Sequence, residues 1–167
     1  MTTTSEHTLE ENLIKQLQEL KYERVVIQDE AALLANLKTQ LEKHNKVELS
    51  DAEFKQVQNQ LSKGNIYAKA QTLRDKILYT KGTGEAGYIE LIDQIHWCKN
   101  QYQVTNQITM NGKYENRYDV TILINGLPLV QVELKRQGLE LKEDFNQTVR
   151  YQRHSLGAGA GLFQYIQ

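Results

Sequence analysis

Tyr118–Lys135, YDVTILINGLPLVQVELK, is the stretch whose reading decides the fold. Tyr118 to Ile124 is rich in β-branched and apolar residues, Asn125-Gly126 is a strong turn signal, and Leu127 to Lys135 resumes the apolar pattern. The segment therefore reads as a β-hairpin. Alternation along the second strand turns Val130, Val132 and Leu134 one way and Gln131, Glu133 and Lys135 the other. On the first strand Val120, Ile122 and Ile124 share a face, and Asp119 and Thr121 share the opposite one. Face matching then selects the register. A two-residue loop would set Asp119 against Val132 and mix polar with apolar faces. A three-residue connection through Leu127 sets Asp119 against Glu133 and Val120 against Val132.

That register carries chemistry. Opposed Cβ atoms lie about 4.5–5.5 Å apart, and two carboxylates at that distance repel unless a cation sits between them. Asp119, Glu133 and the Leu134 carbonyl, completed by waters, suit Mg²⁺, an ion that acidifies water and offsets charge on a phosphate. Lys135 shares the face of Glu133 and could orient the attacking water or stabilise the phosphate. The plain alternative is a salt-bridged, exposed sheet face, because an aspartate followed by E-x-K is common by chance.

The next segment, Leu141 to His154, has Leu141, Phe145, Thr148 and Val149 near helical spacing. Gln147 and Tyr151 stand one turn apart with Arg150 beside them, an amide, a phenol and a guanidinium able to contact a phosphate backbone. A solvated polar face with a half-buried tyrosine is the plain alternative.

Asp119, Glu133-Leu-Lys135 and Gln147-Thr-Val-Arg-Tyr151 together resemble the PD-(D/E)xK nucleases that carry the Q-x-x-x-Y extension of RecB-like enzymes. More closely, the chain is similar to the amino-terminal nuclease domain of the restriction (R, or HsdR) subunit of type I restriction–modification enzymes. Val104-Thr-Asn-Gln107, Asn125-Gly-Leu-Pro-Leu-Val130 and Leu49-Ser-Asp-Ala-Glu-Phe54 extend the likeness from about residue 9 to the last residue. The resemblance implies that Asp119 and Glu133 bind Mg²⁺, that Lys135 is catalytic, and that Gln147, Arg150 and Tyr151 support cleavage. It implies double-stranded DNA as substrate, methylation and specificity subunits as partners, and ATP-driven helicase domains farther along a larger parent chain. Tyr118 stands where the superfamily often has proline, and Lys21 where the family pattern has glycine at the end of the first helix.

Composition agrees with such a piece. The 167 residues suffice for one core. No long apolar run or signal peptide is visible, and the single cysteine, Cys98, gives neither a disulfide framework nor, with four scattered histidines, a zinc pattern. The chain is expected in the cytoplasm of a bacterium or archaeon. A net charge of −1 predicts weak DNA affinity for the domain by itself.

Upstream the sequence predicts helices. Thr8-Leu-Glu-Glu11 has the form of a capping box, opening a helix with Leu13, Ile14, Leu17 and Leu20 as its stripe. Glu11 reads as a solvated glutamate, with an extra carboxylate near the metal as the lesser alternative. Asp29 caps a second helix, Ser50-Asp-Ala-Glu53 opens a third that runs to about Lys63, and Asn65 caps a fourth. Lys81-Gly-Thr-Gly84 lacks the phosphate-loop pattern and reads as a turn. Tyr88–Ile92 and Tyr102–Met110 read as strands. Gly157–Gly161 reads as a flexible connection, and Leu162–Gln167 as a strand beginning where the sequence stops.

The expected architecture is α/β: a restriction-endonuclease-like central mixed sheet flanked by helices, with an added helical segment over 29–76. Residues 1–8 are expected to be flexible, and 9–167 to form the endonuclease domain. The alternative function is a non-catalytic docking or DNA-guiding module of the same complex; a stand-alone repair nuclease is a third.

Overall fold

A computed structural model describes residues 5–111, 115–134 and 162–166. Its elements are α1 (Glu6–Glu19), β1 (Glu23–Arg24), α2 (Glu30–Asn45), α3 (Asp51–Leu61), α4 (Ile66–Arg74), β2 (Lys76–Thr80), β3 (Ala86–Glu90), β4 (Tyr102–Asn111), β5 (Glu115–Ile124) and β6 (Leu127–Val132). Short 3-10 turns cover Trp97–Lys99 and Leu162–Tyr165. The larger sheet has the order β1-β4-β5-β6, and β2 pairs with β3 in a separate hairpin. β1 runs parallel to β4 while the other pairs are antiparallel, so the central sheet is mixed, as expected.

Helix starts follow the local chemistry. Asp29 and Asn65 accept the N–H groups of Ala32 and Ala68, and Ser50 with Glu53 closes a reciprocal capping box. These bonds from Ser50 are the main reason the Glu53 carboxyl is held below its ordinary range. The first helix starts earlier than the sequence suggests. Ser5, not Thr8, is its cap, accepting the Thr8 N–H at 3.2 Å.

At its other end α1 closes with a tight turn despite the lysine. Lys21 lies at φ +73°, its N–H bonds to the Gln18 carbonyl, and the Tyr22 N–H reaches back to Leu17. This is the paired bonding of a Schellman cap, which favours glycine at the left-handed position. Lys21→Gly is therefore expected to stabilise the fold by about 0.5–1 kcal/mol, the left-handed relief partly offset by glycine's chain entropy. Urea unfolding would read this as a higher midpoint with an unchanged slope.

The sheet is covered on both faces. α1 lies on one, where Ile14 packs with Val104 and Val120, and Leu13, Leu17, Val132 and Leu134 close around them. The other face carries the larger core, in which Leu33, Leu37 and Leu41 of α2 meet Leu123, Leu127, Val57 and Phe163. Each fully buried leucine there contributes roughly 1.5–3 kcal/mol. α2–α4 form the added helical segment.

Three expectations need correction. The helical segment expected over 29–76 stops short of its end, because Lys76 opens a strand, Lys76–Thr80, that pairs with β3 outside the central sheet. Alternation over five residues, with Ile77 and Tyr79 buried, is too short a signal to stand out beside a helix end. Leu162–Tyr165 is a 3-10 turn, not a strand, with Leu162, Phe163 and Tyr165 plugged into the core. Burial pushes the Tyr165 phenol up to about 12, and its hydroxyl donates to the Leu61 carbonyl at 2.8 Å.

The third correction concerns the hairpin. Asn125 (φ +50°) and Gly126 (φ +81°) form a two-residue turn with both residues left-handed, pairing Ile124 with Leu127 and Leu123 with Pro128. A bulge at Leu129 then shifts the ladder by one residue, giving Ile122↔Val130, Thr121↔Gln131 and Val120↔Val132. Loop length and register were coupled in the sequence argument; the bulge uncouples them. The expected pairing of Val120 with Val132 is present, reached by a different route.

A candidate nuclease site at the open end of the hairpin

The β5–β6 ladder ends at Val120↔Val132, and Asp119 and Glu133 are the next residues of the two chains beyond it. The Leu134 N–H donates to Asp119 Oδ2 at 2.8 Å, so the chain leaving β6 fixes the aspartate's orientation. Among the described residues no donor is bound to Oδ1, which leaves that oxygen for a cation. Both carboxylates are half-buried, set between the packed sheet and solvent.

A polar string supports Glu133 from inside. The fully buried Thr121 hydroxyl donates to Gln131 Oε1 at 2.8 Å, and Gln131 Nε2 donates to Glu133 Oε1 at 3.2 Å. Buried polar side chains of this kind require partners, and here each one passes its bond toward the site. Thr121, Gln131 and Glu133 thus share the face expected of them. The sequence reading assigned no role to Thr121 or Gln131. Their alternation with Asp119 and Glu133 was the available signal.

The oxygen-only donor set suits a hard divalent ion such as Mg²⁺, which is held by one or two carboxylates and keeps several waters. Asp119 and Glu133 fit that description as placed. Lys135, Gln147, Arg150 and Tyr151 lie outside the described residues, as does the expected helix over 141–154 that would carry the last three. The expected connection over 157–161 lies outside them too. Leu134 is described through its backbone N–H, which faces Asp119.

Glu11 is not part of the site. It is partly exposed and takes both Arg24 guanidinium nitrogens, at 2.9 and 2.7 Å, and chiefly this pairing keeps its carboxyl below the ordinary range. The α1 carboxylate that faces the sheet is its neighbour Glu10, 5% exposed and accepting from Gln107 Nε2 at 3.1 Å. Gly82 and Gly84 sit in the β2–β3 turn, where Gly84 N–H bonds to Lys81 and Gly82 N–H to Glu53, so the turn reading stands.

The family described as "Type I restriction enzyme R protein N terminus" matches residues 3–167. The chain belongs to that family. A type I restriction enzyme endonuclease subunit of Staphylococcus aureus strain MSSA476 is 45% identical over the whole chain. The EcoprrI endonuclease subunit of Escherichia coli is 38% identical over 98% of it. The HindI endonuclease subunit of Haemophilus influenzae is 32% identical over 62%. The chain spans 18% of the length of the staphylococcal relative and 54% of the E. coli one. Among the described residues no helix is long and apolar enough to cross a membrane.

Proposed function

We propose that this R-protein domain performs Mg²⁺-dependent endonucleolytic cleavage of double-stranded DNA within a type I restriction complex. The observation that carries the reading is Asp119 Oδ2 anchored on the Leu134 N–H at 2.8 Å, next to Glu133, on which the Thr121–Gln131 string ends. Neighbouring carboxylates repel one another, and a cation that both can reach offsets that repulsion.

Each residue has a task. Asp119 and Glu133 would hold the cation, with the Leu134 carbonyl as a third candidate oxygen. The bound ion supplies Lewis acidity toward a water and the scissile phosphate. The Thr121–Gln131–Glu133 string keeps Glu133 in one orientation, and the Leu134 N–H does the same for Asp119. Lys135 orients the attacking water and offsets charge on the phosphate, while Gln147, Arg150 and Tyr151 align the DNA backbone. ATP serves only motor domains beyond this sequence, and the methylation and specificity subunits supply target choice.

Lys135→Ala in the assembled enzyme tests the assignment. The expected result is loss of cleavage by about two to three orders of magnitude, as for removal of one stabilising donor, with translocation and thermal stability retained. Cleavage lost only in step with the folded state would make Lys135 structural and count against the mechanism.

A further inference from the structure

We propose that the outward face of the β2–β3 hairpin is a docking surface for a second copy of this chain. The hairpin stands outside the central sheet and buries one face, with Ile77, Tyr79 and Ile89 in the large core. Alternation sends the remaining residues outward as three cross-strand rungs: Lys76 with Glu90, Leu78 with Tyr88, and Thr80 with Ala86. The middle rung is apolar and open to solvent, with Leu78 at 54% and Tyr88 at 60% exposure. Contact across the hairpin supports the strands but leaves more than half of each residue in water. A solvated strand face is ordinarily polar. Here an apolar centre is flanked by a charged rung, the anatomy of an interface.

The edges of the hairpin are closed, which leaves the face. Gln56 of α3 brackets Thr80, accepting its N–H at 2.9 Å and donating to its carbonyl at 2.9 Å. Asn45 of α2 does the same for Glu90, at 2.8 and 2.9 Å. A strand added to either edge would have to displace these amides, so a partner meets side chains rather than backbone.

The order of the rungs selects the partner. Consider a two-fold axis in the plane of contact, parallel to the strands and midway between them. It carries each residue to the place facing its own cross-strand neighbour. Leu78 then lies over Tyr88 of the second copy, Thr80 over Ala86 and Lys76 over Glu90, and each contact occurs twice. Every rung is complementary to its own image, whereas a rung of two like charges would repel it. Within one chain Lys76 and Glu90 stand 3.9 Å apart, a loose pair with room for the facing charges.

Two strands about 4.8 Å apart, rising about 3.3 Å per residue, offer a face on the order of 200 Å². A standing dimer needs about 800 Å² from each copy. The pairing is therefore weak in free solution and is populated where two copies are held close together. Under the nuclease reading above, paired copies supply one candidate site for each DNA strand; the pairing itself does not rest on that reading.

Amide NMR shifts of this chain, followed over about 0.05–1 mM, read association of that strength. The Leu78 and Tyr88 amides of the unsubstituted chain are expected to move with concentration. K76E and E90K each set like charges face to face and should lose the movement. Mixed in equal amounts they are complementary again, and the movement should return. L78N, which removes the apolar centre without a charge change, should also lose it and decides the matter if a charge variant does not fold. D119A should pair as the unsubstituted chain does, so failure of the nuclease reading leaves this test unaffected. Shifts independent of concentration in the unsubstituted chain overturn the proposal. Movement that the variants keep, or a mixture no better than its components, overturns it as well. A hairpin face silent in this chain but shielded from hydrogen exchange in a longer R protein would belong to the rest of that protein, and would overturn it too.

Discussion

Asp119→Ala is expected to abolish DNA cleavage by the assembled restriction enzyme while leaving translocation intact. The substitution removes the carboxylate that the Leu134 N–H holds at 2.8 Å. Metal assistance contributes several kcal/mol of charge stabilisation in the transition state. At about 1.4 kcal/mol per decade, its loss lowers the cleavage rate by roughly three orders of magnitude. Stability should change little, because the residue is half-buried and its removal leaves one backbone N–H near solvent. Cleavage and translocation assayed on one substrate check this. Full cleavage by the variant would favour the docking or DNA-guiding role, in which the acidic pair is structural.

Gly126→Ala should be strongly destabilising, for a reason remote from the site. Gly126 lies at φ +81°, and a Cβ built there would stand 2.7 Å from the Leu37 Cα of α2 and 3.2 Å from the Gln40 Cβ. The left-handed backbone costs an alanine about 1–2 kcal/mol. The approach to helix backbone adds about 1–3 kcal/mol, because neither element can move without opening the core. A loss of about 3 kcal/mol is a large share of the 5–15 kcal/mol typical of a whole domain. It corresponds to a fall of roughly 6–12 °C in melting temperature for a chain of this size. Thermal unfolding of the variant measures it directly. An unchanged melting temperature would mean that the turn does not seat against α2.

That turn shows where the sequence was readable and where it was not. Asn125-Gly126 was legible as a hairpin turn because both residues tolerate positive φ. Its burial was not. Asn125 is fully buried, donating to the Leu91 carbonyl at 2.8 Å and to Asn100 Oδ1 at 2.9 Å and accepting from the Gln101 N–H at 2.8 Å. Those partners are 24 to 34 residues away in sequence, and no local pattern encodes them. The bulge at Leu129 escaped for a related reason. Hydrophobic alternation fixes which residues face the core, and two different backbone routes satisfy it equally well.

Capping chemistry was the most readable part. Asp29, Ser50 and Asn65 satisfy backbone donors three residues away, so their signals are contained in the segments they start. Ser5 was missed because Ser5 and Thr8 are both capable caps, and their hydroxyls are bonded to each other at 2.7 Å. Next to the proposed site, the pairing of Val120 with Val132 could be read from face matching alone. Glu10 could not be distinguished from Glu11, since neighbouring glutamates at a helix start differ only in which one the sheet covers.

The most direct test of the cation-binding site is Mn²⁺-induced line broadening in the NMR spectrum of this chain, compared with Asp119→Ala. It needs neither DNA nor partner subunits. Broadening centred on Asp119, Glu133 and Leu134, and absent from the variant, is the expected result. Broadening that is diffuse, or that persists without Asp119, would contradict a cation site built on these carboxylates.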